Sequence, residues 1–157
     1  DATLTVVGRD GYIPGTDKKY LPVLQKAIPE EIKNNITFTG PVPHTEIPRY
    51  IEEAEVCVYP SHMEAMPIAW LEALAMGKPF VGSKTGPGPE AVKDGETGVL
   101  CDPHNPDDIA EKVIWLLQNK EAAQKLGQAA RADVLERFNI QKLVNENISF
   151  YQSCLNV

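Results

Sequence analysis

One helical segment constrains the fold of this chain more than any other. Pro67 suits the first position of a helix and Gly77 suits its end, so the pattern predicts a helix between them. Every residue of 68–76 is apolar except Glu72. A helix without a polar face is expected to be buried between other layers of the protein. Because a buried carboxylate is costly without a partner, Glu72 is predicted to have a charged or hydrogen-bonding one.

A second carboxylate, Glu64, lies eight positions earlier, in the loop ahead of this helix. The free N–H groups around 66–69 and the positive end of the helix dipole face the same region. Amide donors suit anionic oxygens, whereas carboxylates accept hydrogen bonds from hydroxyl groups. The segment therefore predicts a mixed site, and a sugar nucleotide offers both kinds of group.

Short apolar runs alternate with helical patterns along the whole chain. The strand-like runs lie at 4–7, 36–38, 56–59, 79–82 and 98–101. Strands that are apolar throughout indicate a parallel sheet covered on both faces. The predicted fold class is therefore α/β, a Rossmann-like parallel sheet with helices on both faces. One of these helices is expected to begin at Pro106, with Asn105 as its cap.

Several small residues follow directly after strand runs. Ligands of open parallel sheets bind at the carboxyl ends of the strands, where strand order reverses. The residues expected to converge there with Glu64 are Gly8, Val42, Ser61 and Ser83.

Length and charge exclude several classes of protein. A chain of 157 residues is expected to form a single domain over 1–157. Its formal net charge of −7 argues against a nucleic-acid binder, which would show a basic stripe. No apolar run approaches the roughly 18 residues of a membrane span, and the N-terminus lacks the basic region of a signal peptide. The first residue is not Met, which indicates a fragment.

The cysteines and histidines do not indicate a metal site. The three cysteines form no C-x-x-C pair and are interpreted as reduced thiols of a cytoplasmic protein. The three histidines are far apart in the sequence and have no ligand spacing. We therefore expect neither a metal nor another cofactor.

The segment E-A-M-P-I-A-W-L-E-A-L-A-M-G-K-P resembles the E-x7-E signature of retaining glycosyltransferases of the GT-B fold, family 4, also described as glycosyltransferase group 1. Four further segments stand in the order usual in that family. They are V-V-G at 6–8, F-T-G-P-V at 38–42, A-E-V-C-V-Y-P-S at 54–61 and P-E-A-V-K-D-G-E-T-G-V-L at 89–100. The resemblance covers nearly the whole chain.

This resemblance implies a role for each candidate residue. The chain would be the donor-binding C-terminal half of a GT-B enzyme, without the first strand of that half and without the N-terminal acceptor domain. Glu64 would be the catalytic residue, on a hydroxyl of the donor sugar, and Glu72 would bind the ribose. The donor sugar and phosphates would be bound around Ala65, Met66, Pro67 and Ile68. The base and the cleft would be contacted by Gly8, Gly40, Val42 and Ser61.

The resemblance also implies the reaction and its partners. A sugar would pass from a nucleoside diphosphate sugar to a glycan or a lipid-linked saccharide, as in polysaccharide biosynthesis. No metal is expected, since positive side chains and helix dipoles stabilise the leaving diphosphate. The full-length protein would be cytoplasmic, with peripheral association at the inner membrane face as an option. This chain alone is expected to bind the donor without turnover, because the family's diphosphate-gripping Arg and Lys precede it.

Three alternatives stay open at this point. Gly86, Gly88 and Ala91 match the dinucleotide fingerprint, but Pro87 and Pro89 remove amide donors that a pyrophosphate would need. A sugar-nucleotide epimerase of similar fold is the second alternative. The third is a catalytically silent module that binds nucleotide sugars.

Overall fold

The computed structural model describes residues 2–155, in which strands and helices alternate. The chain divides into two compact units, a first unit of Asp1–Tyr50 and a second unit of Ile51–Val157. Each unit has its own hydrogen-bonded sheet, and both sheets are parallel. The α/β class with parallel strands is thereby confirmed. The expectation of one domain over 1–157 stays a prediction.

The first unit is built on a parallel pair of strands. Strand β1, Leu4–Val7, pairs with β2, Ile36–Gly40, and the register shifts by one residue between Val6 and Val7. The connections contain helix α1, two 3-10 helices and the beginning of α2. Their bounds are Leu21–Ala27 for α1, Glu30–Asn35 and His44–Glu46 for the 3-10 helices, and Ile47–Glu53 for α2.

Burial in the first unit differs from the sequence prediction. Among its described residues, 2–50, none is buried, and Leu4 and Val6 of β1 are 50% and 39% exposed. The prediction that this strand is buried on both faces is therefore wrong. Two strands and a seven-residue helix with no buried residue provide too little surface to cover both faces of a sheet.

The second unit contains the remaining strands in the order β3, β4, β5. Strand β3 spans Cys57–Tyr59, β4 spans Phe80–Ser83 and β5 spans Val99–Cys101. Its helices are α3 at Ile68–Ala75, α4 at Gly88–Ala91, α5 at Pro106–Gln118, α6 at Lys120–Arg137 and α7 at Ile140–Leu155. Helix α5 is capped as predicted, because the Asn105 side chain accepts from the N–H groups of Asp107 and Asp108.

The core of the second unit lies around the central strand. All four residues of β4 are buried, as its apolar sequence predicts. One core cluster joins β4 and β5 to helices α5 and α6. It consists of Val81, Val99, Cys101, Leu116, Ala123 and Leu126.

Helix α6 fixes the position of α3. A Cβ atom added at Gly127 of α6 would lie 2.1 Å from the Gly77 carbonyl oxygen, so the two backbones touch. Arg131 of α6 donates to the carbonyl of Ala75, the last residue of α3. These contacts hold the carboxyl end of α3 against the core.

No helix within residues 2–155 combines the length and apolar content needed to cross a membrane. The cytoplasmic location and the association with a membrane face stay predictions.

Candidate functional site

The loop between β3 and α3 presents Glu64 to solvent. Glu64, Ala65 and Met66 are exposed, and Ser61 is half-buried just beyond the carboxyl end of β3. Within residues 2–155, the Glu64 side chain makes no hydrogen bond or ion pair. Its carboxylate is therefore available to accept a hydrogen bond from a ligand hydroxyl.

Helix α3 begins one residue later than the sequence predicts. Pro67 is its N-cap, with extended backbone angles of φ −76° and ψ 107°, and not its first helical residue. The first backbone bond of this turn runs from the Trp70 N–H to the Pro67 carbonyl at 3.0 Å. The N–H groups of Ile68 and Ala69 precede that bond and are oriented as donors for an anionic oxygen.

The first turn of α3 is exposed, although its sequence is apolar. Trp70, Ala73 and Leu74 are buried, but Ile68 is 70% exposed and Ala69 is also exposed. The prediction of a fully buried helix is therefore wrong for this turn. The core covers only the side that carries Trp70, Ala73 and Leu74, and the start of the helix extends beyond it.

Glu72 is half-buried in the second turn of α3, beside an aromatic cluster. The pKa of Tyr59 is raised to about 12, mainly by burial and then by the Cys57 sulfur and the Glu72 carboxylate. The Tyr59 ring stacks on Phe80 with centroids 5.4 Å apart. Glu72 thus lies on a helix packed through Trp70, Ala73 and Leu74, near a phenol that stays neutral at physiological pH.

The segment after β4 is joined to the Glu64 loop. The Thr85 hydroxyl donates to the His62 carbonyl at 3.1 Å, and Ser83 Oγ lies 2.8 Å from Thr85 Oγ1. The sequence names Ser83 as a candidate but does not single out Thr85. The one feature of the sequence that indicates Thr85 is its position three residues after a predicted strand. Many loop residues share such a position.

The match to the dinucleotide fingerprint has a packing explanation. A Cβ atom added at Gly88 would lie 1.8 Å from the Ser83 carbonyl oxygen, so only glycine fits there. Helix α4, which begins at Gly88, has only four residues. A pyrophosphate site of that class uses a longer helix, and the geometry therefore disfavours dinucleotide binding.

Charged groups also gather at the carboxyl ends of β4 and β5. Lys84 Nζ lies 3.0 Å from an Asp102 carboxylate oxygen, and this hydrogen bond is the main cause that raises the pKa of Lys84. The N–H of His104, followed by Lys84, lowers the pKa of Asp102. Lys84 is therefore a positive group at this edge that is already paired with a carboxylate.

The remaining candidates lie in the first unit, at the carboxyl ends of its strands. The Gly8 N–H donates to the Gly40 carbonyl at 3.2 Å, and Gly40 has a positive φ of 69°. Val42 is half-buried in the loop that follows. The structure thus brings Gly8 and Gly40 together, and the convergence of this group with Glu64 stays a prediction.

Within residues 2–155, no group of three or more His, Cys, Asp or Glu side chains is arranged to hold a metal ion. The expectation of a reaction without a metal stays a prediction.

Two curated relatives resemble nearly the whole chain. N-acetyl-alpha-D-glucosaminyl L-malate synthase from Bacillus anthracis is 28% identical over 155 residues, which are 99% of this chain and 38% of that protein. Glycogen synthase from Mycobacterium tuberculosis is 33% identical over 149 residues, which are 95% of this chain and 34% of that protein. The chain thus spans little more than a third of the length of these relatives.

Solved structures have the same fold. Sucrose-phosphate synthase from Thermosynechococcus elongatus matches with a TM-score of 0.83 at 26% identity, over 98% of this chain and 39% of its own. Anabaena HepE, solved in complex with UDP-glucose, matches with a TM-score of 0.83 at 24% identity, over 97% of this chain and 41% of its own. These neighbours have the GT-B fold, and the predicted fold class is confirmed.

The family model described as glycosyl transferases group 1 matches residues 1–133. This match covers the loop with Glu64, helix α3 with Glu72, and the strands of both units. The resemblance inferred from the motifs is confirmed at this level, and the chain belongs to the glycosyl transferases group 1 family.

Proposed function

We propose that this chain is the donor-binding part of a retaining glycosyltransferase that transfers a sugar from a nucleoside diphosphate sugar. The observation that carries the proposal is the arrangement around the start of α3. An exposed carboxylate at Glu64, the unbonded amides of Ile68 and Ala69, and a half-buried carboxylate at Glu72 follow one another along one loop and helix. Hydroxyl and phosphate groups of a nucleotide sugar match these donors and acceptors.

Each group has a distinct role in this proposal. Glu72 accepts hydrogen bonds from the ribose hydroxyls, and Glu64 accepts one from the donor sugar. The amides at the start of α3, with the helix dipole, stabilise negative charge on the phosphate and on the leaving diphosphate. Pro67 has no N–H to donate, so Ile68 and Ala69 donate in its place.

The relatives support this choice of ligand. HepE was solved with UDP and with UDP-glucose, and its fold matches 97% of this chain. We infer that the donor is a nucleoside diphosphate sugar and that the acceptor, a glycan or a lipid-linked saccharide, is bound by a region outside this chain. A catalytically silent binding module is the second candidate, since the same donors and acceptors around α3 would bind a nucleotide sugar without transfer.

The test is a ligand-observed NMR titration of the full chain with UDP, GDP, ADP and UMP. One diphosphate is expected to bind more tightly than UMP, because the start of α3 provides contacts for the second phosphate. Glu72→Gln keeps the size of the side chain but removes its charge, and it is expected to weaken that binding about tenfold.

The matched control is Glu111→Gln, which makes the same change at an exposed position on α5. It is expected to leave binding unchanged. Equal affinities of wild type and Glu72→Gln would contradict the ribose role, and no binding by any diphosphate would contradict the proposed function. Transfer by the full-length enzyme, with Glu64→Gln as the inactive variant, separates an enzyme from a silent module.

A further inference from the structure

The Glu64 loop, defined as residues 61–66, is held by the segment that follows β4. The hydroxyl of Thr85 donates to the carbonyl of His62 at 3.1 Å. Gly86 lies against the backbone of Glu64, since a Cβ atom added at Gly86 would be 3.5 Å from the Glu64 carbonyl oxygen. Two contacts therefore join this loop to the segment after β4. One is at Glu64 itself, and the other is at His62.

The direction of the hydrogen bonds around Thr85 is fixed by the His62 carbonyl, which can only accept. Thr85 has one hydroxyl proton, which it donates to His62. Ser83 Oγ, 2.8 Å away, must therefore donate to Thr85 Oγ1, and it also accepts from the Thr85 N–H at 3.2 Å. Ser83 is only 1% exposed. A chain of hydrogen bonds thus leads from the core strand β4 to the exposed loop.

The side chain of His62 is anchored on the other side. A carbonyl oxygen only accepts, so His62 Nε2 donates to the Pro103 carbonyl, at 3.1 Å. The His62 and His104 rings lie 4.3 Å apart between centroids. His62 is therefore fixed through its backbone by Thr85 and through its ring by the loop after β5. Hydrogen bonds thus hold both the backbone and the ring of His62, which is more than is expected for a residue of an exposed loop.

We propose that Thr85 is a positioning residue, whose hydroxyl fixes the loop so that Glu64 faces the donor sugar. The inference rests on the proposed function, because it takes Glu64 as the group that binds the sugar. Thr85 itself acts through the His62 carbonyl. Glu72 does not depend on Thr85, since packing of Trp70, Ala73 and Leu74 holds α3 in place. Loss of the hydroxyl therefore weakens the sugar contact more than the nucleotide contact.

The experiment compares two variants of Thr85 in the full chain. Thr85→Val keeps the shape of the side chain and removes the hydroxyl, whereas Thr85→Ser keeps the hydroxyl. Dissociation constants are measured by calorimetry for UDP, GDP and ADP, each beside its glucose derivative. The preference for the glucose derivative over the diphosphate is expected to fall about fivefold in Thr85→Val and to be retained in Thr85→Ser.

A second readout does not depend on the ligand. Backbone 15N relaxation in the free protein is expected to show greater mobility of residues 62–66 in Thr85→Val and wild-type behaviour in Thr85→Ser. If Thr85→Val does not fold, Ser83→Ala removes the donor to Thr85 and is expected to give the same two effects at smaller size.

The outcomes separate the inference from the proposed function. The inference is overturned if wild type and Thr85→Val prefer the glucose derivative over the diphosphate equally. It is also overturned if this preference falls equally in Thr85→Val and Thr85→Ser, or if the 15N relaxation of residues 62–66 is unchanged in Thr85→Val. Wild-type protein that binds none of the diphosphates contradicts the proposed function itself, and the inference falls with it. Diphosphate binding that is unchanged in Thr85→Val, with a reduced sugar preference, supports both.

Discussion

The two units of this chain have the same kind of parallel sheet and very different degrees of burial. Among the described residues of the first unit none is buried, whereas every residue of β4 in the second unit is. The second unit covers its sheet with α5 and α6, which share a core cluster with β4 and β5. Within residues 2–50, the first unit has only two strands and short helices. An apolar strand sequence is therefore insufficient for burial, because the covering helices determine it.

The difference in burial between the units also separates two kinds of candidate residue. Glu64 and Glu72 belong to the unit with a core, where packing and hydrogen bonds fix the backbone that presents them. Gly8, Gly40 and Val42 belong to the unit without one. Stability is expected to vary accordingly along the chain, with the lowest cost of local opening in the first unit.

The largest expected effect comes from truncating a leucine in each unit. Leu74 is fully buried, whereas Leu24 of α1 is 41% exposed. Leu74→Ala is expected to lower the free energy of unfolding by about 4 kcal/mol, because it removes packed atoms and leaves a cavity. Leu24→Ala is expected to cost less than about 1 kcal/mol. Urea denaturation followed by circular dichroism measures both, and equal losses would show that the first unit has a core in solution.

A smaller effect on stability is expected when glycines in different surroundings are replaced by alanine. Gly127→Ala would place a methyl group 2.1 Å from the Gly77 carbonyl oxygen, so α6 and α3 must separate. We expect a loss of about 2 kcal/mol, even after the gain in helix propensity. At Gly11 in the first unit an added Cβ atom has no neighbour within 4 Å, and Gly11→Ala is the control. A neutral Gly127→Ala would refute the close backbone contact.

The smallest effect concerns carboxylates in ion pairs. Partial burial acts to raise the pKa of Asp133, but hydrogen bonds from Arg137 and Lys93 outweigh it and lower the pKa below its ordinary value. A lowered folded-state pKa stabilises the protein above the unfolded value, and this contribution is lost as pH falls through the folded value. Asp133→Asn is expected to cost about 1.5 kcal/mol at pH 7. The difference in the free energy of unfolding between Asp133→Asn and wild type should become smaller below about pH 4.

The control for this prediction lies in the first unit. Glu30 is paired with Lys33, but its side chain is 82% exposed. Glu30→Gln is expected to leave stability nearly unchanged, since exposed ion pairs contribute little. Thermal unfolding of both variants and wild type, from pH 3 to pH 7, is the measurement. A loss that does not vary with pH in Asp133→Asn would exclude its carboxylate charge as the cause.

Local chemistry made much of this structure predictable. The run at 4–7 predicts β1 at its observed bounds, and Asn105 with Pro106 predicts the start of α5. The motif that contains Glu64 and Glu72 indicates the family, which the match over residues 1–133 confirms. Each of these signals lies within one short segment, because capping, periodicity and motif spacing depend on neighbours in the sequence.

The sequence by itself thus determined the order of strands and helices, the α/β class and the family. Only the tertiary structure decided that β1 and the first turn of α3 are exposed, that Gly88 and Gly127 lie against other backbones, and that Thr85 holds the Glu64 loop. The physical reason is that burial and close contact depend on segments far apart in the chain. A local pattern states what a segment is able to form, and its partners in space decide which of its faces is covered.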